Sequence, residues 1–165
     1  MRQGVDRPAA YITMKAVVTR VSEARILSDG VETANIKTGF LVLAGVETGD
    51  DRADALYLAG KICGLRIFEN DEGKMGAALE DVSGELAVVS NFTLSADCRK
   101  GRRPDFTKAA PPGEAEELYE YFVECCRANG IKVSCGVFGA DMKVHSVNDG
   151  PVTIIMDTKE MRRGQ

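Results

Sequence analysis

The chain holds one histidine in 165 residues, and that scarcity excludes more chemistry than any other number in it. A His-rich metal site cannot be assembled, and a Ser-His-Asp arrangement would have to run through His145 alone. Cysteine is present but poorly spaced for a site: there are five, an odd number, and no pair has C-x-x-C spacing. That usage reads as reduced thiols in a cytosolic protein, with the adjacent Cys125 and Cys126 as packing plus one semi-exposed thiol. No run approaches the ~20 consecutive apolar residues of a membrane helix, so no membrane partner is expected. P-loop, G-x-G-x-x-G and G-x-S-x-G patterns are all missing, which removes the nucleotide-fold and serine-hydrolase readings. No internal repeat, low-complexity tract or long linker divides the chain.

What is present is the composition of one soluble domain, 44% apolar and 28% charged. A chain of this length buries roughly 70% of its unfolded surface and folds without staples. The formal charge of −4 is unevenly spread. Acid gathers at Glu114, Glu116, Glu117, Glu120 and Glu124, and base at Arg99, Lys100, Arg102, Arg103 and Lys108. An acidic protein with one basic segment can still dock a polyanion locally.

Residues 1–13 have no periodicity, no apolar core and no small-residue cleavage site. They read as a disordered extension, and residues 158–165 as a short tail. Between them, Lys15–Val21 is a strand rich in β-branched residues, and Asp29-Gly30 predicts a hairpin joining 15–28 to 31–37. Phe40–Val46 reads as a buried strand. Asp50 and Asp51 can cap a helix with Ala55, Leu58, Ala59 and Ile62 on one face, stopped by Gly64. A short strand is expected at 65–68 and another at 85–92. Residues 97–113 form a long charged loop, and a second helix spans 114–128. Three further strands are expected near 131–138, 142–147 and 151–157. The whole predicts a single α/β or α+β domain, with two main helices and a largely antiparallel sheet.

Three segments carry candidate chemistry. Ser90-Asn91-Phe92-Thr93-Leu94 is either a strand running into a Ser/Thr-capped turn or a strand end that holds a ligand. Asn148-Asp149-Gly150-Pro151 reads by itself as a turn. The basic loop reads equally as a solvated loop or as a phosphate-contacting segment. His145, alone on an alternating strand, reads as a hydrogen-bonded surface group.

Taken in order, these pieces resemble the D-aminoacyl-tRNA deacylase (D-tyrosyl-tRNA deacylase) family. The resemblance is carried by Met14–Val18 with Arg20-Val21, Gly64–Phe68, Gly73–Met75, Ser90–Leu94, Arg102-Arg103-Pro104 to Phe106, Phe138–Met142, and Asn148–Thr153. It runs from Met14 to about Asp157. The signatures S-Q-F-T-L and N-x-G-P-V-T are specific together at this spacing.

The resemblance implies a barrel-like sheet and a homodimer with its active sites at the subunit interface. It implies an aminoacyl-tRNA substrate, no cofactor and no metal. Ser90, Asn91, Phe92 and Thr93 would be catalytic, with backbone N–H groups around Phe92 and Thr93 as oxyanion donors. Gly150 and Pro151, joined by a cis bond, would form a chiral gate that enters the partner's pocket. Arg20, Phe138, Met142 and Asn148 would support the gate and pocket. Arg99, Lys100, Arg102, Arg103 and Lys108 would contact the tRNA backbone. The sequence departs from the pattern at Asn91, where the family usually has Gln; the shorter side chain bears on a hydrogen bond to Arg20 or to the gate. A second class, a nucleic-acid-binding module without hydrolysis, is represented by animal relatives with a long C-terminal tail, whereas about eight residues follow Asp157 here.

Overall fold

The computed structural model describes residues 13–162. Strand β1 (Lys15–Ser28) organises the domain because it pairs along both of its edges. Asp29 and Gly30 both have positive φ, 47° and 82°, which gives the tight turn that twisted hairpin strands need. The chain thus returns as β2 (Val31–Ile36), paired to the second half of β1. The first half of the same edge takes β3 (Gly39–Gly45), with Lys15 opposite Gly45 and Val21 opposite Gly39. β3 is apolar throughout because it lies inside the sheet, between β1 and β6 (Glu85–Ser90).

Antiparallel pairing holds around β1. β3, β6 and β7 (Val133–Cys135) run parallel, because helices make the crossovers between them. Helix α1 (Arg52–Cys63) starts at Asp51 in a reciprocal capping box with Asp54 and stops at Gly64, as the sequence predicts. Helix α2 (Pro112–Ala128) opens on a proline, whose missing N–H would find no partner there anyway. Both pack on one face of the sheet. There Val18, Phe40, Val42, Leu58, Ile62, Leu86 and Phe122 are fully buried. Each such side chain contributes roughly 1.5–3 kcal/mol. Phe40 also stacks on Phe68 at 5.0 Å, which pins a short hairpin, β4 (Phe68–Glu69) with β5 (Met75–Ala77), against the core.

Two irregularities in the pairing of β1 with β8 (Met142–Asp157) shape the molecule. Val21 faces Asn148 while Glu23 faces Val147, so Ser22 is an extra residue in β1. The extra residue shifts the alternation. Ala16 and Val18 point toward the helices, and Val21, Ala24 and Ile26 point into a second cluster with Ile36, Leu41 and Val89. The sheet curls around that second cluster into a nearly closed barrel. The other irregularity is larger. Thr19 faces Thr153 and Val21 faces Asn148, so Asp149-Gly150-Pro151-Val152 bulge out opposite Arg20 alone.

Several sequence expectations are corrected. The strands expected at 142–147 and 151–157 are one continuous strand, because Asn148–Pro151 makes an excursion and does not reverse the chain. The strand near 131–138 shortens to Val133–Cys135, where pairing with β6 ends, and that at 65–68 shifts to Phe68–Glu69. Thr158–Arg162 of the expected tail is a third helix, α3. Its first residue exchanges two bonds with Met14, Met14 N to Thr158 Oγ1 (2.9 Å) and Thr158 N to Met14 O (3.0 Å). Cys125 and Cys126 are both buried, since α2 turns both toward packed neighbours, so neither is the semi-exposed thiol. The extension expected over 1–13 lies outside the described residues except for Thr13, whose N–H donates to Asp50 Oδ1 (2.7 Å).

Candidate active site

β6 ends at Ser90, and the chain turns at once into a single 3₁₀ turn, Phe92–Ser95. Asn91 makes that turn possible. Its side-chain oxygen accepts the backbone N–H of Thr93 (3.2 Å) and also the Thr93 hydroxyl. The strand end and the capped turn foreseen as alternatives are therefore one structure. Beside it opens a cavity of about 610 Å³. Ser90, Asn91 and Phe92 form one wall and Phe138, Gly139, Ala140 and Met142 another; Phe106 and Ala109–Pro112 close the third. The lining is mostly apolar with a few polar groups at one end, the usual character of a small-molecule site.

The third wall was not legible as a site. Its elements are the return arm of the basic loop and the Pro111-Pro112 start of α2. Phe106 meets Phe92 edge-on at 5.1 Å, and Tyr119 leans on Phe138 at 6.0 Å. Tyr119 donates its hydroxyl to Val88 O (3.1 Å), and burial pushes its pKa well above the ordinary tyrosine value. It buttresses Phe138 from behind the cavity wall.

Asn91 does not reach Arg20. It is occupied with Thr93, and Arg20 donates to two backbone carbonyls elsewhere, Nε to Asp149 O (2.8 Å) and a terminal nitrogen to Ile67 O (2.6 Å). The shorter side chain thus serves the 3₁₀ turn and makes no bond to the Gly-Pro loop of its own chain. The same geometry bears on the oxyanion donors. Thr93's N–H is capped by Asn91, and that of Phe92 carries no such cap.

Thr93 has no base. Its hydroxyl donates to an uncharged amide oxygen, and His145 lies on the outer face of the sheet in a separate hollow with Glu23, Arg25 and Lys37. A Thr93→Ala protein should therefore keep at least about a tenth of the wild-type single-turnover rate, since losing a true nucleophile costs far more. Rapid-quench hydrolysis under excess enzyme checks this.

The second candidate motif lies elsewhere on the same chain. Gly150-Pro151 is a cis peptide. The bulged loop is held from inside by Asn148, whose Oδ1 accepts Val152 N (3.0 Å) and whose Nδ2 donates to Thr153 Oγ1 (3.1 Å). Arg20 holds it from behind, in a hollow that also contains Phe68, Glu69, Met75 and Asp149. Regular strand separates Met142 at the cavity from Asn148 by six residues, about 20 Å at roughly 3.3 Å per residue, and Gly150 lies beyond it in the bulge, lining the hollow of Arg20 and not the cavity. Within one chain the loop does not enter the cavity.

The basic loop projects from the third wall. Lys100, Arg102 and Arg103 are exposed and without a hydrogen-bond or ion-pair partner among the described residues; the Lys108 side chain is likewise unpaired. Arg99 differs, because its guanidinium is clasped by Asp97. The glutamate-rich face of α2 borders a different groove, formed by Glu114 and Glu117 with Asp50 and Asp51.

Residues 17–157, nearly the whole domain, match the family described as D-Tyr-tRNA(Tyr) deacylase. The chain belongs to that family. It is 56% identical over 146 residues to the D-aminoacyl-tRNA deacylase of Geobacter sulfurreducens, covering 88% of this chain and 96% of the relative. It is 51% identical over 148 residues to that of Thermotoga petrophila, covering 90% and 99%. Among solved structures, the c-Myc DNA unwinding element binding protein superposes with a TM-score of 0.80 at 38% identity, over 86% of this chain and 97% of that one. A probable eukaryotic D-amino acid tRNA deacylase superposes with a TM-score of 0.78 at 17% identity, over 88% and 100%, a likeness of fold. Membership of the deacylase family thus accounts for the fold. Among the described residues, no helix is long and apolar enough to cross a membrane.

Proposed function

We propose that this chain hydrolyses the ester between a D-amino acid and the 3′-terminal adenosine of tRNA, and that two copies build each site. The observation that carries the reading is the separation of the two motifs. An open cavity carries the Ser90–Phe92 wall, and a braced Gly150-Pro151 loop is presented outside it, beyond the six residues of β8, about 20 Å, that run from Met142 to Asn148. β8 pairs only with β1, and its other edge is free among the described residues. Val144, Val147 and Ile155 on this strand are exposed apolar residues. A long free edge with apolar side chains is a surface that pairs with another strand. A second copy docked there brings its loop to this copy's cavity.

The chemistry asked of the protein is modest. An aminoacyl ester is already activated, so placement and stabilisation of the oxyanion are sufficient. Water attacks the carbonyl carbon, and the charge that develops on oxygen faces the backbone N–H of Phe92. The bond to the ribose 3′-oxygen then breaks, and the vicinal 2′-hydroxyl relays the water's proton to that oxygen. Free D-amino acid and tRNA leave. Gly150 and Pro151 crowd the substrate Cα, which rejects an L side chain by clash. Glycine, with no side chain, should also be admitted.

The exposed Lys100, Arg102, Arg103 and Lys108 contact acceptor-stem phosphates, and the protein works with its tRNA substrate in the cytoplasm. A protein with Arg102→Ala and Arg103→Ala should bind tRNA with a log–log salt slope shallower by about two, close to one per lost phosphate contact. Titration at several salt concentrations reads this directly.

The likeness to the c-Myc DNA unwinding element binding protein supports a second reading, a nucleic-acid-binding module without hydrolysis. Incubation of D-aminoacyl-tRNA with a hundredth of its concentration of protein separates the two. Many turnovers of ester loss support the hydrolase, and tRNA retention with no ester loss supports the binding module.

A further inference from the structure

The basic loop is a lobe closed by backbone hydrogen bonds and clasped on the inside by one acidic residue. Asp97 and Asp105 exchange two backbone hydrogen bonds, Asp97 N to Asp105 O (2.8 Å) and Asp105 N to Asp97 O (2.9 Å). Residues 98–104 are thereby tied off at the base. Inside the lobe, the Asp97 carboxylate accepts the backbone N–H of Arg99 (3.1 Å), Arg99 Nε (2.9 and 3.0 Å) and a terminal guanidinium nitrogen (2.6 Å). The guanidinium is 81% exposed while the carboxylate is 22% exposed. Gly101, at φ +64°, makes the tight turn between this clasp and Arg102-Arg103. On the far arm, Asp105 Oδ1 accepts Thr107 N (2.7 Å).

An exposed ion pair of this kind adds little to global stability. Its value lies in local order. A seven-residue lobe bearing three unpaired cations would otherwise sample many conformations, and ordering it would be charged against each docking event. The clasp also removes Arg99 from the set of available cations, because its fork is filled by a carboxylate of the same chain.

We infer that Asp97 is a positioning residue for the substrate, fixing the lobe so that Lys100, Arg102 and Arg103 meet the tRNA phosphates, and that Arg99 belongs to this clasp and not to the phosphate-contacting set. The inference rests on the phosphate reading of the lobe given above. It differs from that reading in one measurable respect. Losing a phosphate contact changes the salt slope, and losing lobe order changes affinity at constant slope.

The test uses Asp97→Asn and Arg99→Ala, each compared with Arg102→Ala, on full D-aminoacyl-tRNA and on a D-aminoacyl-adenosine ester that carries no phosphates. Asp97→Asn and Arg99→Ala are expected to raise KM for the tRNA about five- to ten-fold, with kcat within two-fold; the salt slope stays unchanged in Arg99→Ala, which loses the clasp without freeing a cation, and does not become shallower in Asp97→Asn. On the adenosine ester the KM rise should disappear for Asp97→Asn. Arg102→Ala should make the slope shallower by about one. If Arg102→Ala shifts the slope while Asp97→Asn leaves KM at the wild-type value, the inference is overturned and the phosphate reading stands. An Asp97→Asn defect equal on both substrates also overturns it, because the residue would then act on the fold or the cavity. An unchanged slope in Arg102→Ala removes the phosphate reading on which the inference rests.

Discussion

Gly150→Ala is expected to lower the ratio of D-ester to L-ester hydrolysis by at least about ten-fold, a loss of roughly 1.4 kcal/mol of discrimination. Gly150 has φ +150°, a conformation L-residues rarely adopt. A Cβ built there would lie 2.6 Å from Val152 N and 2.7 Å from Val152 Cγ2. The nearer atom is backbone, and its N–H is already committed to Asn148 Oδ1 at 3.0 Å. The loop must therefore move as a unit. A gate that works by excluding a side chain tolerates such movement poorly, since a displacement near 1 Å can cost about a hundred-fold in a positioned reaction. Because the loop bulges away from the sheet and Gly150 is exposed, the fold itself should survive. Parallel time courses on the two esters, with a thermal melt as control, give the answer. An unchanged ratio would count against the gate.

Arg20→Ala should be the more damaging change to overall activity, lowering kcat/KM on the D-ester by about a hundred-fold. Arg20 is the residue that β1 places opposite the four-residue excursion. Its side chain is only 15% exposed, and its fork spans from the Asp149 carbonyl to the Ile67 carbonyl, with the Asp149 carboxylate 3.8 Å away. Hydrogen bonds from a charged donor are worth roughly 1.5–3 kcal/mol each, so losing two leaves the loop tethered mainly by Asn148. Lysine should not restore activity, because an ammonium cannot present two donors in the guanidinium's fixed geometry. Wild-type kcat/KM in Arg20→Ala would show that the loop holds its shape without the arginine.

The sequence made the elements around the site legible where a single local rule governed them. Asp29-Gly30 determined a hairpin through its backbone requirements, and Asp51 with Gly64 bounded α1 through capping. The 148–153 segment was harder. Asn-Asp-Gly-Pro is a strong breaker, and local chemistry alone makes it a chain reversal. What keeps β8 straight is non-local: β1 offers a partner on both sides of the excursion, and Arg20 fills the gap between them. The third wall of the cavity was hidden for a similar reason. Phe106 is an ordinary loop phenylalanine until the 97–105 backbone closure carries it back onto Phe92. Thr158 gave no sign of a helix start, since its partner, the Met14 backbone, lies 144 residues away. Asn91 was noticed as a departure, but the bond it makes is to Thr93, two residues on, rather than to the distant arginine.

The central claim is that one cavity hydrolyses the ester while a glycine–proline loop decides handedness. The most direct measurement compares wild-type protein, at catalytic concentration, on D-Tyr-tRNA and L-Tyr-tRNA prepared from the same tRNA. Rapid loss of the D-ester with the L-ester spared is the predicted result. Equal loss of both esters would contradict it.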